Sequence, residues 1–407
     1  MSLLSSKMSG DRNSRPEEML VITDVFPTPN GDVPKGYHIR DWVDMIKDSF
    51  RKVHVVVPTA YVPSWAKHLS FLPSKYRHAA SVFDYSFENV EVHFLPFPTV
   101  PLSFFRDRNG DLAYIFNREK LLSLWNRCSV HHAHFTWLSG YIARKLRENH
   151  GGSYHLTIHE NQSWFLEEVN SQDKKYVNTW TEAESLIRVN TQDISLLEKY
   201  NENTLHIPNT VDIDNFKPMS KDACRDELGI PKEQTVLLHV GYYKIDQKNH
   251  LNLIDAVKRL TQENSSIHLY CIGGGRDEQR IREKVEAEDM SQKVSLVGSV
   301  EHENIPYWMN ACDVFLLPSY SESFGIVQIE ANACGKPVIA THNGGSEEVI
   351  LDGKTGFLVE DPEDVGELAT QIEKALDHGW NPAFIRKQTV EKYSKVNIRE
   401  SYLDLYD

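Results

Sequence analysis

A chain of 407 residues with 40% hydrophobic and 25% charged side chains has room for two ordinary cores of roughly 190 residues each, and its composition is that of a globular protein. No apolar run approaches the roughly 20 residues of a membrane span, which speaks against an integral membrane protein. The net charge of −14 is lopsided: residues 1–210 carry 23 basic and 24 acidic side chains and residues 211–407 carry 21 and 34, so the second half would repel a phosphate backbone and no nucleic-acid partner is expected.

The stretch 1–17 has no apolar segment of the secretory kind and cannot build a core, so a disordered tail is expected there. Apolar runs then mark buried strands at "MLVITDVF" from Met19, "VHVVVP" from Val53, "VEVHFLPF" from Val90, "HHAHF" from His131 and "YHLTIHE" from Tyr154. Between them "YHIRDWVDMIKDSF" and "SGYIARKLRENH" have helical spacing, and this alternation predicts a parallel sheet covered by helices on both faces. Residues 61–105 break the rhythm and read as an insertion; Trp65, Lys67, Lys75, Tyr76 and Arg77 within it offer either a solvated loop or a peripheral membrane contact. Five cysteines, Cys128, Cys224, Cys271, Cys312 and Cys334, are odd in number, scattered and without CxxC spacing, so a reducing cytoplasm is the expected compartment, with no disulfide framework or zinc motif.

The prolines and Asn-Thr of "LHIPNTVDIDNFKP" interrupt any helix, and the alternation restarts after them. The expected domains are 18–207 and 208–380, both doubly wound and Rossmann-like, with a helical segment 381–407 packing back toward the first. In the second domain, strands at "TVLLHVGYY", "IHLYCIGGG", "VSLVGSV", "DVFLLPS" and "PVIAT" alternate with helices, among them "FGIVQIEANACG". "GGG" at Gly273–Gly275 reads as a strand-to-helix turn. Parallel sheets bind ligands at the carboxyl ends of their strands, where helix N-termini favour anions. "DVFLLPS" running into "YSESFGIVQIE" puts such a helix start at Ser323, Phe324 and Gly325, with Glu322 before it and Glu330 eight positions further on, a spread of up to roughly 12 Å along a helix. Two carboxylates so placed can bracket a diphosphate and reach sugar hydroxyls on either side; the plainer alternative is a capping acid and a surface acid.

The blocks "IPNTVDIDNF", "VSLVGSVEHENIPYWMNACDVFLLPS", "ACGKPVIAT", "NGGSEEVI" and "GKTGFLV", together with Glu322, Phe324, Gly325 and Glu330, resemble the retaining glycosyltransferases of family 4. The resemblance implies a GT-B fold, a first domain that shapes an acceptor pocket and a second that holds a nucleotide-diphosphate sugar. Glu322 and the Ser323–Gly325 amides would hold the donor sugar and diphosphate, and Glu330 the nucleotide ribose. In "VGYYKIDQKNH", Lys248 fits the family's phosphate lysine, whereas Tyr242 stands where the family has an arginine; Lys244 is the nearest substitute cation. His134 in "HAHFTWLSG" is similar to the family histidine that faces the transferred sugar, His159 in "TIHEN" to another near the cleft, and Gly36 to a glycine of the first loop. Each also reads as core or ordinary loop, and His132 with His134 shares one side of an extended chain, which raises a metal pair without a third ligand. Asp212 and Asp214 in "VDIDN" mimic a DxD metal motif but lie in the inter-domain connection. The expected function is retaining transfer of a sugar from a nucleotide diphosphate to a hydroxyl acceptor (glycan, lipid-linked sugar or small molecule), with catalytic Glu322, Lys248 and His134 and neither cofactor nor metal. A sugar-nucleotide-binding partner of low activity and a sugar-nucleotide epimerase are the alternatives.

Overall fold

The computed structural model describes residues 18–28, 36–61, 83–99 and 108–406. Residues 1–17, expected as a tail, residues 29–35 and the candidate membrane-facing residues from Trp65 to Arg77 lie outside these. The first sheet comprises β1 (Glu18–Thr23), β2 (Lys52–Tyr61), β3 (Tyr85–Phe87), β4 (Val90–Pro98), β5 (Val130–His134), β6 (His155–Ile158), β7 (Ser185–Arg188) and β8 (Thr204–His206), in the order β3-β4-β2-β1-β5-β6-β7-β8. Only the β3–β4 edge pair is antiparallel. The second comprises β9 (Thr235–Val240), β10 (Ile267–Ile272), β11 (Val294–Gly298), β12 (Val314–Leu317), β13 (Val338–Thr341) and β14 (Gly356–Val359), ordered β11-β10-β9-β12-β13-β14 and wholly parallel.

Strands buried on both faces need apolar side chains at successive positions, and Val338, Ile339 and Ala340 of β13 are all fully buried. Each sheet separates two apolar clusters, and burying one such Val or Ile stabilises by about 1.5–3 kcal/mol against leaving it exposed. Both strand orders reverse once. After β1 the chain builds outward through β2 and β4, then crosses back to β5; after β9 it builds through β10 and β11, then returns to β12. The loops leaving β1 and β5, and those leaving β9 and β12, therefore diverge and open a crevice at each carboxyl edge.

The described part of the segment 61–105 includes β3 and β4, which extend the first sheet at its edge. Strands β7 and β8 and the helices Asn109–Phe116, Arg118–Arg127, Gln162–Ser171 and Lys174–Thr181 complete the first domain. Near the C-terminus, the helix Pro382–Tyr393 is tied to the second domain by Arg386, which donates to the carbonyls of Ile213, Phe216 and Ala333. Past Ser394 the helix Lys395–Leu403 crosses over: Ile398 and Tyr402 join the apolar cluster that contains Met19 and Val43. Tyr406 hydroxyl lies 2.7 Å from His132 Nδ1. Lys395 Nζ reaches Asp41 at 2.9 Å and Asp212 at 3.0 Å, while Asp212 Oδ1 accepts from the Asp214 and Asn215 amides, so Asp212 ties the linker to both neighbours.

Candidate active site

At the reversal point of the second sheet, β9 and β12 run side by side and release the loops that hold Lys248 and Glu322. Lys248 sits at the end of the short helix Ile245–Lys248, and its Nζ is 2.5 Å from Glu322 Oε1. Ser319 Oγ donates to the same oxygen at 2.6 Å. Glu322 is buried, so these two donors offset its desolvation. The loop is braced beneath: Glu322 N donates to Asn343 O at 2.8 Å, and Gln247 Nε2 to Ser321 O at 3.3 Å. Gly345 of the "NGG" block packs so close that a Cβ there would come within 2.7 Å of Phe324 Cα. Phe324 itself is fully buried with its ring against Tyr393, so its backbone rather than its side chain faces the crevice loop.

Gly325 caps the helix Ile326–Ala333 at φ 75°, and the first N–H groups of that helix have no acceptor inside it. Within the helix, buried Glu330 has Oε1 3.3 Å from His302 Nε2. Burial opposes charge on that imidazole, but the Glu330 carboxylate together with Asp41 and Asp212 outweighs it and raises the His302 pKa. His302 also stacks on Tyr37 of the first domain, centroids 5.0 Å apart and planes 11° from parallel. Tyr242 is half exposed. Lys244 Nζ turns toward Gln247 at 3.3 Å and Asp246 at 3.9 Å, whereas Lys248 is the cation on Glu322.

Opposite, the first domain brings histidines together. His134 Nδ1 lies 3.0 Å from His159 Nε2, and His159 packs against His38 with centroids 5.2 Å apart. His134 lies deeper than the crevice surface. It is fully buried beneath Trp42 and His132, while His38, His159 and Trp42 of the first domain and Asn209 and Ile326 of the second line a crevice. His134 thus touches the crevice-lining His159 from behind. His132 is spent on Thr157 Oγ1 at 2.8 Å and on Tyr406, so the two do not form an open ligand pair. Burial lowers the pKa of His38 to about 4 and those of His132, His134 and His159 well below the usual range, leaving neutral imidazoles. Phe135, next to His134, takes φ 76°, a conformation a bulky residue adopts only under constraint. Gly36 starts the helix Tyr37–Ile46 at φ 86°, where a Cβ would meet Phe26 N at 2.7 Å; close backbone approach explains it.

Several residues here carry no sequence signal of the kind used above. Asp24, after β1, accepts from Ser139 N at 3.2 Å, across the first reversal point. Glu160, after β6, accepts from Thr136 N at 2.7 Å, and buried Glu168 has no hydrogen bond to either oxygen. Burial raises all three acids, Asp24 to about 8. Asn190, just past β7, donates to Ser323 O at 2.7 Å and joins the two domains beside Glu322.

Two parallel-sheet domains that face each other at their carboxyl edges, with a lysine–glutamate pair at the reversal point of the second, define the GT-B architecture. Residues 220–394 match the family model of glycosyl transferases group 1. A D-inositol 3-phosphate glycosyltransferase of Mycobacterium sp. (strain KMS) is 32% identical over 228 residues, 55% of this chain and 48% of the relative. D-inositol 3-phosphate glycosyltransferase 2 of Catenulispora acidiphila is 29% identical over 273 residues, 60% and 62% of the two chains. The matched part thus spans half to three-fifths of the length of these curated relatives. Among solved structures, sucrose-phosphate synthase from Thermosynechococcus elongatus superposes with a TM-score of 0.75 at 21% identity over 96% of this chain and 98% of its own. Anabaena Alr3699/HepE in complex with UDP-glucose gives 0.71 at 20% identity over 95% and 98%. Among the described residues no helix is long and apolar enough to cross a membrane.

Proposed function

We propose that the chain is a retaining glycosyltransferase that moves a sugar from a nucleotide diphosphate to a hydroxyl acceptor. The observation that carries this reading is the Lys248–Glu322–Ser319 constellation at the reversal point of the second sheet, with the helix start at Gly325 beside it and Glu330 further along. The UDP-glucose complex of HepE, a neighbour in fold, supports a nucleotide sugar as donor, and relatives named for D-inositol 3-phosphate support a hydroxyl acceptor.

Chemically, breaking the sugar–phosphate bond leaves charge on the diphosphate. Lys248 and the N–H groups opening the helix Ile326–Ala333 supply fixed positive potential for it, which replaces a divalent ion at this place. Glu322 accepts from sugar hydroxyls and sets the orientation of the anomeric carbon, and Glu330 accepts from the ribose. The departing phosphate oxygen takes the acceptor's proton on the face from which it leaves, so configuration is retained without a protein nucleophile. On the opposite wall His159, oriented by His134, accepts from or donates to a hydroxyl without carrying charge. Asn190 on Ser323 and Tyr37 on His302 hold the two walls together, which excludes water that would otherwise hydrolyse the donor.

The test is turnover by the purified chain on a panel of nucleotide-diphosphate sugars and polyol or sugar acceptors, with anomeric configuration of the product read by NMR. Retained configuration, and rates unchanged by EDTA, are expected. Tyr242 in place of a second cation favours one other reading, a sugar-nucleotide-binding protein; tight nucleotide binding without transfer or donor hydrolysis across the panel would select it.

A further inference from the structure

At the other end of the first sheet, toward the amino-terminal ends of β2 and β4, three side chains unrelated to the crevice converge. The parallel register sets His54 directly opposite Glu91, and the two-residue repeat of a strand puts His93 on the same face as Glu91. His54 Nδ1 is 3.2 Å from Glu91 Oε2, and His93 Nε2 is 3.6 Å from that same oxygen. Both histidines are buried, and neither of these two nitrogens makes a hydrogen bond.

The second ring nitrogen of each histidine fixes what the first can do. His54 Nε2 lies 2.9 Å from Glu18 Oε2 and His93 Nδ1 lies 3.1 Å from Asp84 Oδ2. A carboxylate accepts, so each imidazole donates its N–H there and turns a lone pair toward Glu91. Asp84 is itself held in place by the Phe94 amide at 2.9 Å. Two lone pairs and a carboxylate oxygen then face one another, an arrangement that costs energy unless a cation sits among them. Paired imidazoles whose outer N–H groups are held by carboxylates are the usual surroundings of metal-ligating histidines.

We infer that His54 Nδ1, His93 Nε2 and Glu91 Oε2 bind a divalent transition ion of the zinc class, with Glu18 and Asp84 orienting the two imidazoles. Bonds of about 2.0–2.1 Å at tetrahedral angles put ligand atoms about 3.3 Å apart, and the two spacings to Glu91 bracket that value. Three protein ligands leave the fourth position to water, reached past the partly exposed Glu91. Lys52 pairs with the other oxygen, Oε1, and leaves Oε2 to the ion. The neighbouring trio Glu18, His54 and Cys128 is no competitor, because Arg127 and Arg51 already neutralise Glu18. The site ties β2 to β4 at the far edge from the crevice, so the ion fastens the sheet and takes no part in transfer.

The experiment strips the full-length protein with a chelator, desalts it, and titrates it with Co2+ alone and then with Zn2+. One equivalent of Co2+ with visible d–d absorption, displaced by Zn2+ and accompanied by a rise in Tm, is expected. Glu91→Gln and His93→Gln should lose that saturable equivalent. Asp84→Asn, on a side chain that is mostly exposed, should keep the stoichiometry and bind about 10- to 100-fold more weakly. Wild-type protein that takes up no Co2+ overturns the inference, as does a folded Asp84→Asn or Glu91→Gln protein with undiminished affinity.

Discussion

The two reversal points of this molecule are built from opposite materials. In the second domain the groups are charged and paired: Lys248 with Glu322 at 2.5 Å, His302 with Glu330 at 3.3 Å. In the first, desolvation disfavours charge: His38, His134 and His159 are held below their usual pKa and Glu160 and Glu168 above theirs. A diphosphate brings charge that needs fixed charge to receive it. Under the proposed function a hydroxyl acceptor brings none and would be met by groups that hydrogen-bond without ionising. The net charge of each half does not report this, since the acidic second half is the one that presents the lysine.

The largest effect should come from breaking the charged wall. Removing one donor to developing charge typically costs about 3–4 kcal/mol, roughly 100- to 1,000-fold in rate. Lys248→Ala should therefore nearly abolish transfer in a protein that still folds. Tyr242→Arg adds a guanidinium from a half-exposed position and should retain or raise the rate. Turnover of Lys248→Ala close to wild type, measured with the correct donor, would remove the lysine from the reaction.

How much of this was legible beforehand follows from where each signal lives. Glu322, Gly325, Glu330 and Lys248 lie in ordered blocks with fixed spacing; the strand before the first three, Val314–Leu317, is an unbroken apolar run, and the one before Lys248, Thr235–Val240, is apolar but for Thr235 and His239. Asn190 follows β7, four residues that include the fully buried Arg188, and a charge inside so short a run hides the strand. Only the tertiary structure explains that charge: Arg188 pairs with Asp193 at 2.6 Å and donates to the carbonyls of Ile158 and Glu160. His134 was legible as a strand-end histidine but its depth was not, because burial beneath Trp42 and behind His159 depends on the helix Tyr37–Ile46 packing across it. The pair His54 and His93 stands on strands 39 positions apart, a spacing no local pattern can join.

Acid should break the neutral wall next. Imidazoles held below their unfolded pKa bind fewer protons folded than unfolded, so stability falls as pH drops from about 6.5 toward their folded values, by up to about 1.4 kcal/mol per pH unit for each group. His38 and His155, both near 4, add to His132, His134 and His159 in the first domain, against His239 near 4 and His250 near 2 in the second. Asp24, Glu160 and Glu168, held above their unfolded values, work in the opposite direction over this range, so melting followed from pH 7.5 to 5 should show a net loss of Tm carried by the more numerous histidines. That loss should be eased in His155→Gln, and identical pH profiles for His155→Gln and wild type would contradict the neutral cluster.

Glu330→Ala should weaken binding of donor and of free nucleoside diphosphate alike, by about 10-fold or more, as expected for a hydrogen bond to a charged group. Calorimetric titration with UDP and other nucleoside diphosphates reads it. Unchanged affinity in a folded variant would leave Glu330 as the partner of His302 alone.

The smallest effect sharpens the same comparison, because His302 is the histidine of the charged wall and its shift has the opposite sign. Its folded pKa lies above the unfolded 6.5, so its pairing with Glu330 stabilises the protein fully below about 6.5 and is lost as pH rises through the folded value. Wild type minus His302→Gln should thus give a Tm difference that is larger at pH 6 than at pH 9, while the neutral cluster of the first domain pulls in the other direction over the acid range. Glu330→Gln removes the carboxylate that raises the pKa and should flatten that difference. A Tm difference that grows with pH would show that burial outweighs Glu330 and that His302 belongs with the neutral imidazoles after all.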